Sequence, residues 1–111
     1  LLGWAFMQGT ADDRPEALRA FLDASFDAKQ VLLTDDAAWE PLRELMGAAD
    51  DQALFEQLRD DYRAGIVTGY DAGNMGAAEA AFMLMATYGG ADLVGDAATL
   101  AEGTFWNGYS R

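Results

Sequence analysis

The stretch DRPEALRAFLDASFDAKQVLL, residues 13–33, carries the longest unbroken helical period in the chain. Leu18, Phe21, Leu22, Ser25, Lys29 and Leu32 recur at steps of three and four, which places them on one helix face. The start is signed by residue type. Asp13 is the expected N-cap, Arg14 and Pro15 fill the first two helical positions, and Glu16 stands at the third. Asp followed three residues later by Glu resembles a capping box, and proline loses nothing in a first turn whose N–H groups have no helical partner. Phe26 and Val31 widen the apolar face, so the spacing predicts a helix packed on more than one neighbour, with Phe21 in the core.

Outward from this helix, the pattern predicts a short N-terminal strand and three further helices. Leu1–Met7 is apolar and bulky, and with Gly9 and Thr10 behind it reads as a buried strand entering a loop. Thr34, Asp35 and Asp36 end the main helix and offer caps to a second. There Trp39, Leu42, Leu45 and Met46 fall on one side, Pro41 lies near the first turn, and Gly47 closes the helix. Asp50 or Asp51 caps a third helix whose apolar positions are Leu54, Phe55, Leu58 and Tyr62, ended by Gly65. Arg59 and Arg63 lie in its last turns, where cations suit the negative end of the helix dipole. Residues 66–74 read as a glycine-punctuated connection, and Ala77–Tyr88 as a fourth helix stopped by Gly89-Gly90. The remainder is a loop with one short turn near Asp92–Val94 and an aromatic tail of Phe105, Trp106 and Tyr109. The fold class expected is therefore mainly α: about four helices and one short strand in a single segment spanning residues 1–111. A lone strand cannot satisfy its own backbone groups, so it calls for a sheet that this sequence does not supply.

Composition bounds the chemistry. The 111 residues are 51% hydrophobic, a globular composition, and carry 19 acids against 7 bases for a formal net charge of −12. That balance argues against nucleic acid and anionic lipid as partners, since both need a basic surface. The absence of cysteine excludes disulfides and thiolate catalysis, and the absence of histidine removes imidazole ligands and the commonest general base at neutral pH. The opening LLGWAFMQG shows no basic n-region of a signal peptide, and no apolar run reaches the roughly 20 residues of a membrane helix. An apolar opening without an initiator methionine is the expected look of a processed protein or of a piece of a longer one.

No residue set rises to a catalytic or metal site. Of the Asp-Asp pairs at 12–13, 35–36, 50–51 and 60–61, the first three precede expected helices, where carboxylates cap free N–H groups. Asp71-Ala-Gly-Asn-Met-Gly comes nearest to a calcium loop but lacks the ligand at its third position and the distal glutamate. The glycines at 65, 69, 73 and 76 match neither a phosphate loop nor a dinucleotide fingerprint and read as turn formers. Ser25 and Lys29 are one helical turn apart, but packing on a half-buried face accounts for both. Trp4, Phe6, Trp39 and Trp106 are the aromatic candidates for ligand stacking. An aromatic at an apolar position is more often core, and Trp4, flanked by Gly3 on the strand-like segment, is the one whose position leaves ligand contact open.

The order of these pieces resembles the C-terminal segment of periplasmic solute-binding proteins of ABC transporters, of the nitrate, sulfonate and taurine class. The likeness runs the length of the chain. It is carried by Gly3-Trp4-Ala5-Phe6, by Arg14-Pro15-Glu16-Ala17-Leu18 with Ala20-Phe21-Leu22, and by Ala28-Lys29 and Leu32-Leu33. Trp39, Leu45-Met46-Gly47, Tyr62-Arg63-Ala64-Gly65-Ile66, Gly89-Gly90, Leu93-Val94-Gly95 and Gly103-Thr104-Phe105-Trp106 follow in order. Val67 stands where that family often carries proline. The resemblance implies a two-lobe α/β fold for the intact protein, with this chain as its C-terminal part and the orphan strand joining a sheet built by other residues. It further implies periplasmic location, a small organic or oxyanionic solute held between lobes, a permease partner, no cofactor and no catalysis. Trp4 and Phe6 are the ligand contacts suggested by position. As a fragment the chain is expected to expose apolar surface and so to self-associate or be marginally stable when purified alone. The rival expectation is a stand-alone helical interaction module that uses its apolar faces to bind a partner or itself.

Overall fold

The computed structural model describes residues 3–111 and is helical throughout its regular structure. Helix α1 spans Gln8–Asp13 and α2 spans Pro15–Thr34. A 3₁₀ helix covers Ala37–Leu42, α3 covers Gln52–Ala64, α4 covers Ala72–Gly89, and the single turn α5 covers Ala91–Val94. The chain divides into two compact units. One is contiguous, Glu16–Thr68; the other joins the residues up to Pro15 with Gly69–Arg111.

The contiguous unit is built around the end of α2. Trp39, Ala48 and Phe55 form its buried centre, and Leu32, Leu42, Met46, Leu58 and Ile66 pack against them. Phe55, at 1% exposure, is the largest fully buried side chain. Leu18 and Leu22 are also buried on α2. Asp51 caps α3 by accepting from Leu54 N at 2.9 Å, and α3 ends at Gly65. The expected second helix forms as a 3₁₀ turn instead. Pro41 removes an N–H from its middle, which an α-helical continuation would need. Asp35 Oδ1 receives Ala37 N at 2.9 Å at the entry, and Gly47, at φ +71°, reverses the chain afterwards as glycine does without strain.

The second unit contains α1, α4 and α5. Asp71 begins α4 with a capping box: its side chain accepts from the first turn while Asn74 Oδ1 accepts from Asp71 N at 2.8 Å. Two reciprocal backbone bonds, Tyr70 N to Arg111 O and Arg111 N to Tyr70 O, both 2.7 Å, clasp the segment just before that cap. A Cβ at position 69 would stand 3.0 Å from Arg111 O, so the close approach there favours glycine. Gly90 ends α4, and α5 folds back against it.

Four further expectations are corrected. The N-terminal strand is not seen: Leu1 and Leu2 lie outside the described residues, and Gly3–Met7 forms no ladder. Met7 is extended at φ −73°, ψ 143°, but no strand among the described residues pairs with this segment. The capping box on Asp13 and Glu16 is displaced because Gln8–Asp13 is itself helical. Asp13 closes α1, Arg14 breaks the helix at φ −138°, and Pro15 takes the first position of α2. Phe21 is 49% exposed, so the buried stripe of α2 runs through Leu18 and Leu22 and leaves Phe21 and Val31 outside it. The fourth helix also starts five residues earlier than its apolar run, since the Asp71–Asn74 cap carries it through Gly73 and Gly76.

Candidate functional site

The two aromatic residues singled out for ligand contact sit in the extended lead-in. Trp4 is 60% exposed. Phe6 is half-buried and meets Trp106 edge to face, with ring centroids 5.6 Å apart and planes at 86°. That geometry is the favourable one for two aromatic quadrupoles, and it anchors the lead-in to the aromatic tail. Within this unit, a hollow of about 340 Å³ is lined by Met7, Gly9, Thr10, Asp13 and Arg14, and Trp4 and Phe6 are not among its walls.

A larger cleft, of about 420 Å³, lies in the same unit between α4 and the segment at 100–105. Ala72, Met75, Gly76 and Glu79 recur at helical spacing and present one face of α4 to it. Leu100, Ala101, Gly103, Thr104 and Phe105 form the opposite wall. That wall is held by Ala101 O, which accepts both Thr104 N at 3.1 Å and Thr104 Oγ1 at 2.6 Å. The sequence pattern did not point to this cleft. Its helical wall was read partly as a connection, and its other wall has no period to read.

In the contiguous unit, polar groups gather at the end of α2. Leu32 O lies in the last turn, where carbonyls lack a helical donor. It accepts Trp39 Nε1 at 2.8 Å and Arg63 Nε at 2.9 Å. Arg63 Nη2 and Arg59 Nη1 reach Asp36 at 2.6 and 3.5 Å. The hydrogen bond from Arg63, with the charge of Arg59 beside it, holds the Asp36 carboxyl below its ordinary pKa. Arg43 stacks on the Phe55 ring at 4.0 Å and bridges Glu40 and Gln52. The arginines placed by the sequence at the dipole end of α3 thus tie α3 to the end of α2. They are occupied by protein groups, and the arrangement reads as structural.

Lys29 Nζ lies 4.4 Å from the centroid of Phe26, a cation–π contact along α2. Asp12 accepts Gln8 Nε2 at 2.8 Å inside α1 rather than capping a helix. Among the described residues no three acidic side chains converge as a metal site would require, and no helix is long and apolar enough to cross a membrane. Comparison of the chain with protein-family models, with curated proteins and with solved structures found no match.

Proposed function

We propose that this chain is the C-terminal segment of the solute-capturing subunit of an ABC importer, working in the periplasm and without catalysis or cofactor. In this reading the rest of the intact protein supplies the sheet and the lobe that closes over a small organic or oxyanionic solute. Closure presents the loaded protein to the permease. Trp4 and Phe6 are the residues of this segment assigned to the solute.

The observation that supports the reading is α4. Its 18 residues hold a single charged side chain, Glu79, and show no polar stripe opposite an apolar one. A helix of that kind belongs in the interior of a larger protein. Here only Ala78 of α4 is buried, while Met83, Leu84, Met85 and Tyr88 are exposed. The same surface would serve a stand-alone helical module that binds a protein partner, which is the second reading.

The reading frame upstream of Leu1 separates the two. The transport reading expects it to encode a further α/β lobe behind a secretion signal. A start codon immediately ahead of Leu1 overturns that reading and leaves the interaction module. The purified 111-residue chain should self-associate in sedimentation analysis, and a sharply melting monomer would count against both uses of the α4 surface.

A further inference from the structure

The cleft between α4 and residues 100–105 has a chemistry that the transport reading leaves unused. Its volume of about 420 Å³ falls within the range of small-molecule sites. The cleft is open to solvent: Met75, Leu100 and Phe105 are its half-buried apolar side chains, and Glu79, itself exposed, is its one charged side chain. No lysine or arginine occurs between Ala64 and Ser110, and among the described residues Glu79 makes no ion pair. The floor is open at Gly76, where an added Cβ would meet nothing within 4 Å.

We propose that this cleft binds a small organic cation, a substituted ammonium carried on an apolar or aromatic body. The ammonium pairs with the Glu79 carboxylate, and the Phe105 ring and Met75 thioether receive the body and the polarised methyl groups. Anions of the same shape are rejected by Glu79 and by the net charge of −12. All the residues involved lie in one unit, so the assignment uses no contact with the contiguous unit.

Benzyltrimethylammonium is the probe and phenylacetate the control, titrated into the 111-residue chain and followed by two-dimensional amide NMR. The expected result is saturable shifts confined to residues 72–79 and 100–105 with the cation and none with the anion. Glu79→Gln, which keeps shape and removes charge, should weaken binding by about three- to fivefold, as should added salt. Gly76→Leu adds bulk at a lining position whose Cβ is free of neighbours and should abolish the shifts. Equal binding of phenylacetate, shifts spread over the exposed face of α4, or unchanged affinity in both variants would overturn the proposal.

Discussion

Removing both donors from Leu32 O should cost more than the sum of removing each. Trp39→Phe keeps an aromatic ring in a site that is 3% exposed and deletes the Nε1–H that reaches Leu32 O at 2.8 Å. The lost hydrogen bond is worth about 1 kcal/mol, to which the smaller ring adds a cavity cost of similar order. Arg63→Gln keeps a polar head but no charge. It removes the second donor at 2.9 Å together with the Asp36 ion pair at 2.6 Å and the cation–π contact with Trp39 at 5.7 Å, for about 1.5–3 kcal/mol. The cycle of Trp39→Phe and Arg63→Gln is therefore paired with an Asp36→Asn background that removes the ion pair from all four chains. Each single variant leaves the carbonyl one partner. The double variant leaves none in a site lined by Leu32, Trp39 and Phe55, and a stranded polar group adds a desolvation penalty of about 1–3 kcal/mol. Urea unfolding followed by far-UV circular dichroism on the four chains measures this cycle, at the lowest workable concentration so that association does not enter. Independent contributions would agree to within about 0.5 kcal/mol. Additivity at that level would refute the shared-acceptor account and show that the two bonds hold separate parts of the unit.

Three further outcomes are expected. Arg63 and Arg59 lower the Asp36 pKa, so the folded state resists protonation more than the unfolded chain does. The stabilisation from that pair is therefore present above the ordinary carboxylate range near pH 4 and disappears as pH falls through the lowered value, and acid titration of Asp36→Asn should lack that component. Phe55→Ala should cost about 3–5 kcal/mol, whereas Phe21→Ala, on an exposed surface, should fall well short of that; near-equal losses in thermal melting would contradict the burial described. Asp71→Ala should remove the capping box of α4 and cost about 0.5–2 kcal/mol, read as lower helicity and faster amide exchange over the first turn of α4.

Much of the helical plan was legible because it rests on local chemistry. The Leu18–Leu32 period set α2, Asp51 and Gly65 bracketed α3, and Gly89-Gly90 stopped α4 where the structure ends it. Errors fell where a local rule had two outcomes. Asp13 beside Pro15 suits a cap equally well as the last residue of a preceding helix, and Gly9 hid that helix. Asp71-Ala-Gly-Asn reads as a turn until Asn74 is seen in the role glutamate commonly fills in a capping box. Phe21 shares the period of Leu18 and Leu22, and period alone does not say which part of a wide stripe meets a neighbour. The Leu32 acceptor was out of reach because it joins residues 31 positions apart. The cleft was out of reach because residues 100–105 follow no period.

The division of the chain into a contiguous and a split unit bears on how the protein is made. Everything the Trp39–Phe55 core requires has left the ribosome once residue 68 has cleared it, so this unit can fold while synthesis continues. The other unit is held open in time. Its first part, including Phe6, is made before the contiguous unit, yet its partner Trp106 and the Tyr70–Arg111 clasp do not exist until residues 106–111 have been made. During that interval the apolar length of α4 emerges with no completed unit to receive it. That places the segment's greatest exposure to chaperones and to misassembly in the interval between the synthesis of α4 and that of residues 106–111, after the contiguous unit is already in place.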